Sequence, residues 1–374
     1  MIFQKVKFFN GKNLEGLKLF IEDLCKDNPK GILLFVAEET PFDYKKIYSF
    51  LKKAKVTVFG GIFPEVIFEE SSYKKGVVGC SIQSLVTIEV IKDLNNFNGV
   101  LPKNIISKNA ETLFILNDGL SNNIPFLIET LYEINTKEMI FIGGGTGSLK
   151  NMKKESLFYN DNLFSDGAII VSIEGYMSVG VDHGWQPIYG PIIANEVERH
   201  VLKSINWEPA FMYYKKVIEK DSGTKLNSDN FIQISKCYPF GILKYDKEII
   251  LRAAIGIDSE NNILLGSEIP KNSMLMIMKG DHKKIISAAG SGTEKSKEVF
   301  ISKKERLPKK ALIIDCITRA LFLDKMFKDE LKMIKEKAGS GISLFGFLSL
   351  GEIASYGNKY IELLNKTVVV GMQE

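Results

Sequence analysis

Histidine and cysteine are scarce in this chain of 374 residues, which has three histidines and four cysteines. No two histidines have the H-E-x-x-H spacing of a catalytic zinc site, and no two cysteines form a C-x-x-C pair. The cysteines lie far apart in the sequence, at Cys25, Cys80, Cys237 and Cys316. The sequence therefore predicts no metal site and no disulfide framework, and it predicts reduced thiols in a cytosolic protein.

Long apolar runs are also missing. No run approaches the ~18 residues of a membrane span, and the most apolar candidate, residues 311–323, contains Asp315 and Arg319. The first residues, MIFQKVKFFN, lack the apolar core of a signal peptide. The net charge is only +4 and the lysines are spread along the chain, which argues against a nucleic-acid partner. We therefore expect a soluble cytoplasmic protein with no membrane or nucleic-acid partner.

Motifs of nucleotide binding and of nucleophilic catalysis are absent too. In the stretch FIGGGTGSL (141–149), the residues after Gly147 are not the Lys and Ser/Thr of a P-loop, and the glycine spacing is not that of a dinucleotide fingerprint. No G-x-S-x-G elbow occurs. Cys316 lies in an apolar strand and is interpreted as a core residue. We expect no cofactor and no catalytic residue, and we keep as an alternative a hydrolase or transferase that uses Cys316 or His183.

What is present is a recurring pattern of strand, helix, strand, glycines, loop and strand. It occurs at residues 31–82, 112–175 and 311–372. In the first copy the strands read GILLFV, VTVFGGIFP and GVVGCSI, and the helix reads FDYKKIYSFLKKA. Alternation of this kind predicts crossover helices between parallel strands. The predicted fold class is α/β to α+β, in two domains built from recurring β-α-β-β units with mixed sheets covered by helices.

The glycines of FIGGGTGSL end the second strand of the middle copy. Gly60, Gly61 and Gly346 fall at the equivalent places of the other two copies. Glycine is costly to order, so a cluster of glycines needs a backbone reason. Recurrence at one place favours a close approach of two strands. A ligand site stays open as the second interpretation, because α/β proteins bind ligands at strand ends.

The second half also contains a hairpin at 249–263, followed by the strand MLMIMKG and the helix HKKIISAAG. This block is closer to α+β. Residues 219–228 have the composition of a loop. We place the domain boundary there, which gives an N-terminal extension at 1–30 packed on the first domain, a first domain at 31–222 and a second domain at 229–374.

Arginine is rare, and two of the four arginines, Arg252 and Arg319, lie in apolar segments. A guanidinium in such surroundings needs a carboxylate or other acceptors. One interpretation is an internal pair, for instance with Asp315 or Glu352. The other is a bidentate clamp on a ligand carboxylate.

These segments together resemble the FIST family, whose members carry a FIST N-terminal and a FIST C-terminal domain. The resemblance runs from Gly31 to the end of the chain and rests on ten segments in order: VVGCS (77–81), NDGL (117–120), IGGGTG (142–147), DGAIIVSI (166–173), VDHGW (181–185), EPAFMYY (208–214), YPFGI (238–242), DCITRALFL (315–323), SLGEIASYG (349–357) and NKT (365–367). It implies a sensory module of bacterial signal transduction that binds small ligands, with amino acids as candidates. Family members often carry a kinase, cyclase or chemotaxis domain. This sequence shows none, so we expect a stand-alone protein that acts through a partner such as a histidine kinase.

The residues and the resemblance together predict a protein that binds a small polar ligand. Arg319 would bind a ligand carboxylate, and Asp118 or Glu352 would accept from an amine. His183, in VGVDHGWQPIYGP, is interpreted either as a ligand contact or as a hydrogen-bonded loop anchor. The candidate contacts are Asp118, Gly143, Gly144, Gly145, Thr146, His183, Trp185, Arg319 and Glu352. A ligand-free interaction scaffold is the third alternative.

Overall fold

The protein is described from a computed structural model. The structure describes residues 2–11, 13–41, 56–134, 139–150, 155–244, 248–356 and 360–374. The predicted helix FDYKKIYSFLKKA (42–54) lies outside the described residues. The predicted fold class is confirmed, since mixed sheets of parallel and antiparallel strands are covered by helices.

Helices in the described part of the chain follow apolar stripes in the sequence. In the first helix, Leu17, Ile21 and Leu24 are buried on one face, and the Asn13 side chain caps the start by accepting from Gly16 N. The helices are α1 (Leu14–Cys25), α2 (Ile124–Glu133), α3 (Ala210–Ser222), α4 (Phe231–Ser235), α5 (His282–Lys304), α6 (Ile317–Leu323) and α7 (Phe327–Ala338). Short 3-10 turns lie at Leu94–Asn96 and Asp324–Met326.

Most strands coincide with short apolar runs between turn residues. The strands are β1 (Phe3–Phe9), β2 (Gly31–Ala37), β3 (Val58–Phe63), β4 (Val66–Phe68), β5 (Ser71–Tyr73), β6 (Val77–Ile82), β7 (Val86–Lys92), β8 (Thr112–Asp118), β9 (Ile140–Thr146), β10 (Leu157–Tyr159), β11 (Asn162–Phe164), β12 (Gly167–Ile173), β13 (Ser178–Asp182), β14 (Gln186–Glu198), β15 (Val201–Ile205), β16 (Glu208–Pro209), β17 (Phe240–Leu243), β18 (Ile249–Arg252), β19 (Ala254–Ile257), β20 (Ile263–Leu265), β21 (Met274–Lys279), β22 (Lys310–Cys316), β23 (Ser343–Ser349), β24 (Glu352–Tyr356), β25 (Tyr360–Leu364) and β26 (Val368–Gln373).

The three predicted copies of the sequence pattern form three sheets with one strand order. The orders are β1-β6-β2-β3-β10-β11, β7-β12-β8-β9-β24-β25 and β13-β26-β22-β23-β4-β5. In each sheet the two strands that flank the crossover segment are parallel, namely β2 with β3, β8 with β9, and β22 with β23. We refer to the three repeats as units 1, 2 and 3.

The segments predicted as loops before each last strand are hairpins that join neighbouring units. The hairpin β4–β5 of unit 1 pairs with β23 of unit 3, β10–β11 of unit 2 pairs with β3 of unit 1, and β24–β25 of unit 3 pairs with β9 of unit 2. The exchange closes a ring of three units. The sequence gives no sign of it, because the choice of partner strand is a non-local property of a hairpin.

The recurring glycines have the structural reason that their repetition suggested. A Cβ at Gly60 would lie 1.9 Å from the carbonyl oxygen of Leu34 in the parallel partner strand, and a Cβ at Gly143 would lie 1.9 Å from that of Ile115. At Gly346 the distance to Ile313 O would be 1.8 Å. No side chain fits there, so each unit needs glycine at this register.

The interior of the ring is apolar and is built by all three units. Phe35 of unit 1 and Phe347 of unit 3 have ring centroids 4.7 Å apart, and Phe114 of unit 2 lies 6.5 Å from Phe35. The opposite face of each sheet packs under helices, with α1 on unit 1, α2 on unit 2, and α5, α6 and α7 on unit 3. Each central strand is therefore buried on both faces, which explains the continuous apolar runs.

An eight-stranded sheet is inserted between β13 and α5 of unit 3. It contains the strands from β14 to β21, in the order β18-β17-β21-β14-β15-β20-β19 with β16 beside β15. The predicted loop 219–228 begins as helix, because α3 continues to Ser222, and Gly223 ends it at φ +68°. Strands from both sides of this segment share the inserted sheet, and the predicted domain limits stay a prediction.

The helical part of unit 3 also differs from expectation. The sequence LFLDKMFKDELKMIKEKA (321–338) predicts a single helix, but α6 ends at Leu323 and α7 begins at Phe327. Asp324 between them has a left-handed φ of +48°. Over the described residues, no helix combines the length and the apolar character that crossing a membrane requires.

Candidate functional site

Polar side chains are buried at the carboxyl ends of β22 and β23. Asp315 and Cys316 end β22, Ser349 ends β23, and Glu352 begins β24. Because β22 and β23 are parallel, their carboxyl ends lie at one edge of the sheet, where α/β proteins bind ligands. We define the polar cluster as His183, Trp185, Asp315, Cys316, Arg319, Glu330, Ser349, Glu352, Lys366 and Thr367.

The polar cluster joins segments that are far apart in the sequence. Arg319 Nη1 donates to the backbone carbonyl oxygens of His183 and Lys366. The guanidinium carbon of Arg319 lies 5.6 Å from the ring centroid of Trp185, and Lys366 Nζ lies 5.4 Å from it. Four of the segments that carry the family resemblance therefore meet here: 181–185, 315–323, 349–357 and 365–367.

Arg319 is fully buried, and its guanidinium is paired with a carboxylate of the protein, that of Glu330. Its Nε donates to both carboxylate oxygens of Glu330, at 2.9 and 3.1 Å, and its Nη2 donates to Glu330 Oε2 at 2.8 Å and to Ile285 O at 2.6 Å. With the two bonds from Nη1, every N–H of the guanidinium has an acceptor. No N–H of Arg319 is left for a ligand carboxylate, so this side chain positions the loop and α7.

Arg319 lies at ion-pair distance from two carboxyl groups, Glu330 and Asp315, and Asp315 is one of the two partners that the sequence suggested. Asp315 Oδ1 lies 3.7 Å from Arg319 Nε, and neither oxygen of Asp315 accepts a hydrogen bond from any described residue. Burial and the neighbouring Glu330 carboxylate raise the pKa of Asp315 well above its usual value. Asp315 is thus held as a buried acid beside a carboxylate.

Arg252 also has internal acceptors. Its Nε donates to Glu268 O at 2.8 Å, and its Nη1 donates to Leu251 O and Leu363 O. Its Nη2 lies 4.0 Å from Glu362. The inserted sheet is thereby bonded to β25, and Arg252 acts within the fold.

Glu352 is a buried carboxyl group with polar neighbours. It accepts from Ser349 Oγ and, at 3.4 Å, from Thr367 N. Burial raises its pKa to about 8, against the lowering effect of the bonds from Ser349 and Cys316. Burial also raises the pKa of the Cys316 thiol to about 12. At neutral pH both groups are therefore mainly protonated.

The remaining members of the cluster are the loop residues His183 and Trp185 and the lysine Lys366. Burial lowers the pKa of His183 to about 4, and its Nδ1 accepts from Trp185 N at 3.0 Å, so the imidazole is neutral and anchors the loop. Burial likewise lowers the pKa of Lys366 to about 8. Trp185 Nε1 is buried and has no acceptor among the described residues.

The other two units show that the fold does not require this polarity. From the common glycine register, the position of Asp315 in unit 3 is Val36 in unit 1 and Asn117 in unit 2. The position of Ser349 is likewise Phe63 in unit 1 and Thr146 in unit 2. Polarity at these strand ends therefore varies while the strand pairing stays the same: unit 1 has Val36 and Phe63 where unit 3 has Asp315 and Ser349.

The predicted contacts from unit 2 lie beside the cluster or within local networks. Gly144 pairs with Glu352 across β9 and β24, and Gly145 N donates to Gly351 O. Thr146 Oγ1 donates to Asn117 O. Asp118 accepts from Leu120 N at 3.0 Å and from Asp166 N at 2.7 Å. The structure thus brings the glycines to the cluster and gives Asp118 a role in a turn.

The loop that follows these glycines binds an anionic group, and this group is the carboxylate of Glu38 in the same protein. Leu149 N donates to Glu38 Oε2 at 2.8 Å, and Ser148 Oγ donates to the same oxygen. Gly147 N is bonded to Ile62 O. The loop is therefore occupied by the carboxylate of Glu38, which directly follows β2 of unit 1.

Sequence reasoning missed Glu330 and Lys366. Glu330 could have been identified from the sequence, because it lies on the apolar stripe of α7 with Phe327, Leu331 and Ile334, and a carboxylate on a buried stripe needs a cation. For Lys366 the sequence offered weaker evidence, namely its place in the segment NKT (365–367), which carries the family resemblance. Over the described residues, no three side chains of His, Cys, Asp and Glu are grouped as metal ligands.

Comparison with known protein families gives two matches that together cover most of the chain. The family model of the FIST N domain matches residues 31–208, and that of the FIST C domain matches residues 210–355. Comparison with curated proteins gives no match.

Proposed function

Since this chain belongs to the FIST family, whose domains are associated with sensory signal transduction, we propose that it is a sensor that binds a small polar ligand at the polar cluster. The candidate ligands are amino acids. The protein would act in the cytoplasm and would pass its signal to an output protein such as a histidine kinase.

The comparison of the three units carries this proposal. Moving an ion from water into a protein interior has an effective cost of several kcal/mol. Unit 1 forms the same strand pairing with Val36 at the place of Asp315. Charges that the fold does not need are expected where a ligand is bound or chemistry is done. Asp315 and Lys366 are ionisable groups that the pairing of the strands does not require, and each is less than 2% exposed.

The place of the cluster suggests how binding would be reported. His183 and Trp185 lie on the segment that leads from β13 into the inserted sheet, whereas Asp315 and Glu352 belong to the ring. A ligand that contacts both parts would favour one arrangement of the inserted sheet over others. That change is what an output protein would recognise.

Arg319 has a positioning role in this proposal. Among the contacts predicted from the sequence, Trp185 and Glu352 would bind the ligand through their polar atoms. Asp315 and Lys366 are added to them as proposed contacts. Contact of the ligand with Asp118 and with the loop from Gly143 to Thr146 stays a prediction.

The alternative of a cysteine hydrolase or transferase finds less support. The thiolate is the nucleophilic form of cysteine, and burial raises the pKa of Cys316 to about 12. His183 has its Nδ1 occupied by Trp185 N, so it is not placed as a free general base.

A thermal-shift screen against amino acids, small carboxylates and nucleotides tests the proposal. A ligand at ~100 times its dissociation constant stabilises by about 2.7 kcal/mol. The neutral isostere Asp315→Asn should lose the shift, and Asp118→Asn, at the position of Cys316 in unit 2, tests the predicted contact with Asp118. Loss in Asp118→Asn alone would place the site in unit 2. No shift with any compound would contradict the ligand-sensing function.

A further inference from the structure

Lys366 has more hydrogen-bond donors than the protein uses. It lies in the loop between β25 and β26, is 1% exposed, and donates through Nζ to Lys236 O at 3.0 Å. An ammonium group has three N–H donors. In the described part of the chain, Nζ makes no second hydrogen bond and no carboxylate oxygen lies within the 4.0 Å of an ion pair. A buried cation in this state lacks its counter-charge.

Trp185 adds a second unused donor at the same place. Its Nε1 is buried without an acceptor among the described residues, and the centroid of its ring lies 5.4 Å from Lys366 Nζ. A Cβ at Gly280 would come within 2.7 Å of Phe322 Cζ and within 2.9 Å of Trp185 Nε1. The backbone of Gly280 therefore packs closely against both rings.

The charges around these two donors do not balance. Arg319 is neutralised by Glu330, with which it shares three hydrogen bonds. The thiols of Cys316 and Cys237 are neutral, because burial raises the pKa of both. What is left at Lys366 and Trp185 is one positive charge and two donor groups with unused N–H bonds, which fits a ligand group that carries one negative charge and two acceptor atoms.

We propose that Lys366 Nζ and Trp185 Nε1 form the subsite for a single carboxylate group of the ligand. This inference rests on the proposed function and names the chemistry of its ligand. The clamp is not the expected Arg319, whose donors are used internally. A carboxylate would supply the missing counter-charge of Lys366 and the missing acceptor of Trp185, and each of its oxygens would accept from one donor. A phosphate dianion would bring a second negative charge that no other free cation of the cluster balances.

The test compares acids with their neutral amides. The thermal shift and the heat of binding are measured for acetate against acetamide, for alanine against alaninamide, and for inorganic phosphate. We expect a response to the carboxylates, a response at least tenfold weaker to the amides, and none to phosphate. An equal response to acid and amide, or a stronger response to phosphate, would overturn the subsite.

Two variants locate the response, with a matched control. Lys366→Met should raise the melting temperature of the unliganded protein, because it removes a buried charge, and should weaken carboxylate binding at least tenfold. Trp185→Phe should weaken it severalfold, and it keeps the test open if Lys366→Met fails to fold. The exposed Lys216→Met is the control and should bind as the unmodified protein does.

The outcomes separate the two proposals. Binding of alaninamide with no response to any carboxylate would overturn the carboxylate subsite and leave the sensor function in place. Carboxylate binding that is unchanged in Lys366→Met would do the same. No binding of any compound would overturn both.

Discussion

Replacing Glu352 by glutamine should remove a pH-dependent loss of stability. Burial raises the pKa of Glu352 to about 8 from an ordinary value near 4.5. Each pKa unit corresponds to about 1.4 kcal/mol, so full ionisation would lower the free energy of unfolding by roughly 5 kcal/mol. Because the pKa is raised on folding, the stabilising effect of the protonated form is complete below pH about 4.5 and is lost as the pH rises to about 8.

Urea unfolding of the unmodified protein and of Glu352→Gln between pH 5 and pH 9 measures this effect. The difference between their free energies of unfolding isolates Glu352, although Lys366 titrates in the same range with a pKa of about 8. The variant should match the unmodified protein near pH 5 and exceed it by several kcal/mol at pH 9. A constant difference, or an advantage of the unmodified protein that grows with pH, would refute a buried neutral acid.

Three further predictions concern the stability of the fold. Gly143→Ala should lower the free energy of unfolding by more than about 3 kcal/mol, because the new Cβ would meet a backbone carbonyl, while Gly341→Ala, with no atom within 4 Å, should be neutral in the same urea titration. Glu330→Gln should destabilise by about 3–5 kcal/mol, because Arg319 would remain buried without its carboxylate; calorimetry would show a lower melting temperature, and an unchanged one would contradict the pair. Trp207→Gly should raise the urea midpoint by an amount equivalent to about 1 kcal/mol, because Trp207 is 79% exposed at φ +62° in a two-residue hairpin turn that favours glycine; a lower midpoint would show that its ring packs.

The candidate site could be predicted only in part. The apolar surroundings of Arg319 required an acceptor, either in the protein or on a ligand, and the structure supplies it within the protein. Four of the segments that carried the resemblance do meet around Arg319. Asp315, four residues before Arg319, does lie at ion-pair distance. The hydrogen-bonded partner Glu330 could not be found from the sequence around Arg319, since it lies three helical turns further along the chain, beyond the break at Asp324. The unused donors of Lys366 and Trp185 were not predictable either, because a missing hydrogen bond depends on every neighbour of the atom.

The sequence by itself determined the repeated unit, since apolar runs, crossover helices and strand-end glycines are local features. Each depends only on residues within one repeat. The sequence also determined where glycine is obligatory, because the clash at Gly60, Gly143 and Gly346 arises between two strands of one unit. Only the tertiary structure decided which unit each hairpin pairs with. It alone also decided that the residues of the polar cluster meet at the carboxyl ends of β22 and β23. Both depend on contacts between segments that are distant in the sequence. Every hairpin has the same backbone donors and acceptors, so its own residues do not select the strand with which it pairs.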